Sequence, residues 1–106
     1  MITEDYVSFE VAKLLKEKGF DEECQKYYGD YKYPCPTLQM AMKWLREVHG
    51  IDIPIDIRFW TDDEGVDVKS WRYTVYHTDE IEDFGQSDTY EEAAEAAVKY
   101  CLENLV

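Results

Sequence analysis

The chain has 106 residues, enough for one hydrophobic core and too few for two. Hydrophobic residues at 45% and aromatics at 15% exclude a disordered chain and point to a globular one. The formal charge of −13 is uneven: residues 1–50 carry 7 basic and 9 acidic side chains, and residues 51–106 carry 4 and 15. A surface that negative repels phosphate backbones and anionic lipids and leaves basic protein surfaces as the favoured partner class.

The chain opens with Glu4 and Asp5, where a secretory leader needs positive charge before an apolar run, and no stretch reaches membrane-spanning length. Cys24, Cys35 and Cys101 are odd in number and lack CxxC spacing, which fits reduced thiols. A cytoplasmic location without membrane association is therefore expected.

Ser8 is placed to cap a helix running to Lys18, with Val7, Val11, Ala12, Leu14 and Leu15 apolar. Gly19 stops it, and Phe20 is positioned to fold back onto Leu15 in a Schellman arrangement. From residue 21 to 36 the helical period is lost among Tyr27, Tyr28, Tyr31 and Tyr33, interrupted by Gly29 and closed by Pro34-Cys35-Pro36. An aromatic-rich loop with a helical turn near residues 22–28 is expected. Thr37 then opens a second helix over residues 38–49, with Leu38, Ala41, Met42, Leu45 and Val48 on its apolar face and Gly50 as its stop.

Residues 51–60 alternate strictly, Ile51, Ile53, Ile55, Ile57 and Phe59 against Asp52, Pro54, Asp56, Arg58 and Trp60. This is the pattern of one half-buried strand, which Pro54 confines to a strand start or an edge. An acidic turn with Gly65 follows over residues 61–67. A second strand over residues 69–77 sets Trp71, Tyr73 and Val75 against Arg72, Thr74 and Tyr76, antiparallel to the first. Residues 79–84 make a short third strand ended by Gly85. The last helix, residues 89–105, begins with Thr89 as N-cap and Glu92 three residues on, a capping box. Its stripe is Tyr90, Ala93, Ala94, Ala97, Val98, Cys101, Leu102 and Leu105, whose alanines permit close approach to a sheet.

With this order of elements, residues 36–105 resemble the double-stranded RNA-binding domain. The likeness rests on Pro36-Thr37-Leu38-Gln39, on Gly50-Ile51-Asp52-Ile53-Pro54, and on Phe84-Gly85-Gln86-Ser87-Asp88-Thr89 leading into the alanine-rich helix. It implies an α+β fold: a three-stranded antiparallel meander with two helices packed on one face, to which an N-terminal helix is added. Residues 1–106 then form one domain, with residues 1–35 carrying the added helix and the tyrosine loop. The family's RNA-binding residues do not carry over. Its lysines at the start of the last helix are replaced by Tyr90, Glu91 and Glu92, and carboxylates there already occupy the positive end of the helix dipole. The loop that reaches a minor groove in that family holds Asp62, Asp63, Glu64 and Asp67. Nucleic acid is thus not an expected partner. The whole chain is also similar to short uncharacterised proteins encoded by phages and mobile elements of gut bacteria. That similarity rests on Ser8-Phe9-Glu10, the run from Ala12 to Phe20, Pro36-Thr37, and Thr89-Tyr90-Glu91-Glu92-Ala93. It implies no known activity, favours an accessory or interaction role and adds no site.

Cys35, between prolines ahead of a helix, is the one candidate nucleophile, weighed against a plain turn thiol because His49 and His77 belong to other elements. Cys24 and Cys101 read as core residues. His49 reads as a dipole-stabilising surface residue, His77 has no Cys or His at metal spacing, and the acidic run from Asp62 lacks the EF-hand pattern. No cofactor or metal is expected. Two surfaces combine residues enriched at interfaces: the strand face with Arg58, Trp60, Arg72 and Tyr76, and the loop with Tyr27, Tyr28, Tyr31 and Tyr33. Each has a competing structural role, the strand face as a seat for the first helix and the tyrosines as a cover over the core. The expected function is a non-catalytic protein-interaction module. The alternatives are a DNA mimic whose acidic half occupies the groove of a nucleic-acid enzyme, and an enzyme with an unrecognised site.

Overall fold

The computed structural model describes residue 2 and residues 4–106. Among them the chain is α+β, with three helices and two antiparallel sheets. Its elements in order are α1 (Phe9–Glu17), β1 (Tyr27–Tyr28), β2 (Tyr33–Pro34), α2 (Leu38–His49), β3 (Ile51–Asp52), β4 (Ile55–Thr61), β5 (Asp67–His77), β6 (Glu80–Ser87) and α3 (Tyr90–Asn104).

The helix ends follow the expected chemistry. Ser8, Thr37 and Thr89 each accept a backbone N–H from the residue three positions on, satisfying one orphan donor per helix. At the end of α1 the Gly19 N–H donates to the Lys16 carbonyl and the Phe20 N–H to the Leu15 carbonyl, the two bonds of a Schellman motif, with Gly19 at φ 98°. Phe20 is thereby turned inward, edge-on to Trp44 with ring centroids 5.5 Å apart. That contact draws Trp44 into the core and leaves Val48 exposed, so the buried stripe of α2 is rotated from the expected one.

The expected aromatic loop is instead a small β-hairpin. β1 and β2 pair through Tyr27 with Pro34 and Tyr28 with Tyr33. Its turn takes three successive left-handed residues, Gly29, Asp30 and Tyr31, and closes with the Lys32 N–H on the Gly29 carbonyl. Glycine adopts that geometry freely, whereas Tyr31 does so at a cost of about 1–2 kcal/mol.

The main sheet has four strands where three were expected. β5 is central, β6 lies on one side, and β3 and β4 lie end to end on the other. The run read as one strand is broken at Ile53 and Pro54, because proline has no N–H for the ladder; the Pro54 carbonyl still accepts from the Thr74 N–H at 3.1 Å. β6 also runs past Gly85 to Ser87, and a register shift opposite Val75 and Tyr76 leaves Glu82 as the extra residue.

The core lies between the sheet and the helices. Ala93, Ala94, Ala97, Val98, Cys101 and Leu102 of α3 are fully buried with Tyr73 and Val75 of β5, Ile51 of β3, and Leu15 and Leu45 of α1 and α2. The α3 stripe is therefore as expected. Burial along β4 fades toward its end: Ile55 and Ile57 are half-buried, while Phe59 is 72% exposed. The reason is the length of α3, whose first residue, Tyr90, packs edge-on against Trp71 opposite Ile57. Beyond that level the hairpin is open, with Phe59 and Val66 both exposed.

Gly85 sits opposite Tyr73, and the tyrosine ring lies across it, held by a hydrogen bond from its hydroxyl to Asp83 Oδ2 at 2.9 Å. A Cβ there would meet Tyr73 Cε2 at 2.6 Å, and the pinned ring has little room to yield. Gly85→Ala is expected to destabilise the fold by about 1–3 kcal/mol through overpacking. A urea midpoint equal to that of wild type would show that the ring moves freely.

Candidate interaction surfaces

Antiparallel pairing sets residues opposite one another on the same face, so Asp56 with Arg72, Arg58 with Ser70, and Trp60 with Val68 share the side of the sheet turned away from α3. Tyr76 lies on that side too, opposite Asp52 and Ile81. The first helix does not cover this face: α1 packs against α3 and β2. All four strand residues expected at a site are therefore brought to one uncovered surface. They do not form one cluster, however, because eight residues of β5 separate the levels of Trp60 and Tyr76, a span of about 27 Å at strand rise.

Two residues missing from the expected site fill the far half of the face. Phe84, opposite Thr74, is 68% exposed, and Ile81, opposite Tyr76, is 60% exposed. Sequence reasoning overlooked them because the bulge at Glu82 breaks the alternation of β6. Arg72, between the two ends, has its Nε buried without a hydrogen-bond partner among the described residues. Arg58 lies 3.6 Å from Asp56 on the same strand, a solvated pair that holds little energy by itself.

The tyrosine hairpin has divided roles. Tyr28 and Tyr33 flank Phe9, with ring centroids 5.3 Å and 5.5 Å away, and the Tyr28 hydroxyl donates to the Val7 carbonyl at 3.2 Å. These two rings pack against the core. Tyr31 stands at the tip, 81% exposed, with Tyr27 beside it at 5.3 Å. Lysines gather here, which no local pattern in the chain predicts. Lys13 lies over Phe9, Lys16 and Lys32 over Tyr33, and Lys26 over Tyr6 and Tyr28, at 5.0–5.5 Å. Such contacts occur about once per 70–80 residues in ordinary proteins. A cationic and aromatic patch thus stands on a strongly acidic chain, hidden in the sequence because its lysines are spaced among acids.

The three cysteines are free thiols, and burial pushes each of them up. Cys35 is fully buried, its Sγ 3.4 Å from the Val7 carbonyl, and burial pushes its thiol up despite nearby Lys26 and Tyr28. Desolvation here outweighs the lowering by the Tyr28 hydrogen bond and by Lys26. Cys24 is half-buried and packs against the edge of the core, and its thiol is also pushed up, first by burial. The ring of His49 is half-buried edge-on to Trp44 at 4.7 Å, not free at the surface. No group of three or more His, Cys, Asp or Glu side chains suited to a metal occurs among the described residues, and none of their helices is long and apolar enough to cross a membrane. The acidic run forms a turn in which Asp62 Oδ1 accepts from the Glu64 and Val66 N–H groups, both at 2.9 Å.

Comparison with protein-family models, with curated proteins and with solved structures finds no match to this chain.

Two buried groups make the core sensitive to alkali. Burial, then the hydrogen bond to Asp83, pushes the Tyr73 hydroxyl from 10.0 up to about 12, and burial, then Asp83, pushes the Cys101 thiol from 9.0 up to about 12. Both folded values lie above the unfolded ones, so the fold favours the neutral forms. This stabilisation is whole below the unfolded values and is lost as pH rises through the folded ones. The urea midpoint is expected to fall as pH is raised toward 12, and Tyr73→Phe to flatten that fall in its upper part. A midpoint independent of pH across this range would contradict the assignment.

Proposed function

We propose that this chain is a small non-catalytic protein-interaction module of the accessory kind, which engages its partner through the open face of its sheet. The observation that carries this reading is a sheet with all its helical cover on one side. The other side presents Trp60, Phe84 and Ile81 exposed beside Arg58 and Arg72. Aromatics and arginine around a desolvatable centre are the composition in which binding energy concentrates. Acidic side chains bracket the face at both ends, Asp62, Asp63 and Glu64 in one turn and Asp79 and Glu80 at the other. The partner that fits is a protein presenting an apolar patch flanked by basic residues.

The succession α2, β3 with β4, β5, β6, α3 supports the further reading that residues 36–105 are built on the plan of the double-stranded RNA-binding domain, with its first strand broken at Pro54. In that plan Glu91 and Glu92 stand where the family's phosphate contacts would begin. The buried Cys35 thiol, pushed up and not down, supports a role without nucleophilic chemistry.

Affinity capture from the source cell, followed by measurement with the purified partner, tests the proposal. Phe84→Ala and Arg72→Ala are each expected to weaken the complex at least about tenfold, or about 1.4 kcal/mol, without loss of the folded circular-dichroism signal. Tyr31→Ala should leave it unchanged. If Tyr31→Ala abolishes binding and the two sheet variants bind as wild type, the face assigned here is the wrong one.

A further inference from the structure

The outer edge of β4 carries unpaired backbone. The Thr74 N–H bonds to the Pro54 carbonyl, and antiparallel alternation then turns the main-chain groups of Asp56, Arg58 and Trp60 toward β5 and those of Ile55, Ile57, Phe59 and Thr61 away from it. Among the described residues no strand pairs with that outer side. A seven-residue edge with exposed aromatics is a template for another strand.

We propose that β4 pairs antiparallel with β4 of a second copy of this chain, about a twofold axis at Ile57. The register follows from the order of side chains. With Ile57 opposite Ile57, Asp56 of each copy faces Arg58 of the other, Ile55 faces Phe59, and Pro54 faces Trp60. Across residues 54–60 each charge meets its opposite and each apolar residue an apolar one. Moving the axis to Arg58 sets arginine against arginine and Asp56 against Trp60. An axis at Asp56 sets aspartate against aspartate and Arg58 against Pro54. Like charges directly opposite are destabilising, so these neighbours are disfavoured. Registers that pair an odd with an even residue set outward main-chain groups against inward ones and lose the ladder.

The exposure of these side chains agrees. Phe59 is 72% exposed although it points to the helix side of the sheet, and Ile57 is half-buried. In the paired form Ile55 of each copy covers Phe59 of the other, and the two Ile57 side chains meet. The Arg58 to Asp56 contact within the strand, at 3.6 Å, leaves both groups exposed and able to exchange partners. The opposite edge is unsuited to the same use: β6 carries Glu80, Glu82 and Asp83 and is bulged, and self-pairing there would bring carboxylates together.

This self-pairing does not rest on the open-face reading, since Phe84 and Arg72 lie on other strands and their alanine variants should dimerise as wild type. The test is sedimentation equilibrium of the full chain at about 0.15 M salt, where the repulsion of two acidic chains is screened beyond about 8 Å. The wild type is expected to dimerise reversibly. Asp56→Arg and Arg58→Asp, both at exposed positions, should each weaken the dimer at least about tenfold, and the double swap, which restores opposite pairing, should return it to within about threefold. In parallel, amide exchange at Ile57 and Phe59 should slow with protein concentration while that at Asp56 and Arg58 does not change. A chain monomeric at every concentration, single swaps without effect, a double swap that fails to restore the dimer, or an edge that takes up only an unrelated strand would overturn the proposal.

Discussion

The structure depends on the close approach of α3 to the inner face of the sheet. Ala93, Ala94 and Ala97 bring the helix down onto Tyr73 and Val75, and larger residues at those positions would hold it away. That contact also lets α1 and α2 pack on the other flank of α3. Ser8 and Glu10 reinforce it from the N-terminal side: the Ser8 N–H donates to Glu95 at 3.0 Å, and Glu10 meets Lys99 at 2.9 Å. One helix therefore organises both other helices and the sheet. The burial of apolar area by this arrangement is the main stabilising term.

A sheet covered on one side must leave the other side to water or to a partner. Buried Ser70 and Thr74 on the outer face show how the strands shield part of it themselves, Ser70 donating to Gln86 at 2.9 Å. The remaining aromatics have no such cover. The open face and the exposed end of the β4–β5 hairpin thus have a common origin: the helices satisfy one face of the sheet and extend only as far along the hairpin as Trp71. Charge follows the same division. Acidic side chains crowd the turns and the solvent side of α3, whereas the lysines of the first third are drawn over the rings of Phe9, Tyr28 and Tyr33.

Local signals made much of this fold legible. Three Ser or Thr caps, two left-handed glycines after helices, and the period of the α3 stripe are each set by neighbours a few residues apart, so the helices could be located closely. Strand existence was legible for the same reason within residues 51–60 and 69–77, where alternation is regular, although the paired strands reach Thr61 and begin at Asp67, inside the expected turn. The signals failed where a distant residue decided the outcome. Trp44 is buried and Val48 exposed because Phe20 arrives from another helix. Gly85 continues a strand because Tyr73 covers it from the neighbouring one. Tyr27 to Tyr33 form a hairpin because Phe9 lies between two of their rings.

The amino-acid sequence alone determined the class of the fold, the positions of its helices and the acidity of its second half, since caps, periodicity and charge are read from near neighbours. Tertiary structure alone decided which face of the sheet stayed open, that Phe84 and Ile81 join it, that four lysines share one aromatic cluster, and that β4 is a free edge. Those outcomes depend on where helices end relative to strands and on which residues meet across long separations, and no local pattern encodes either.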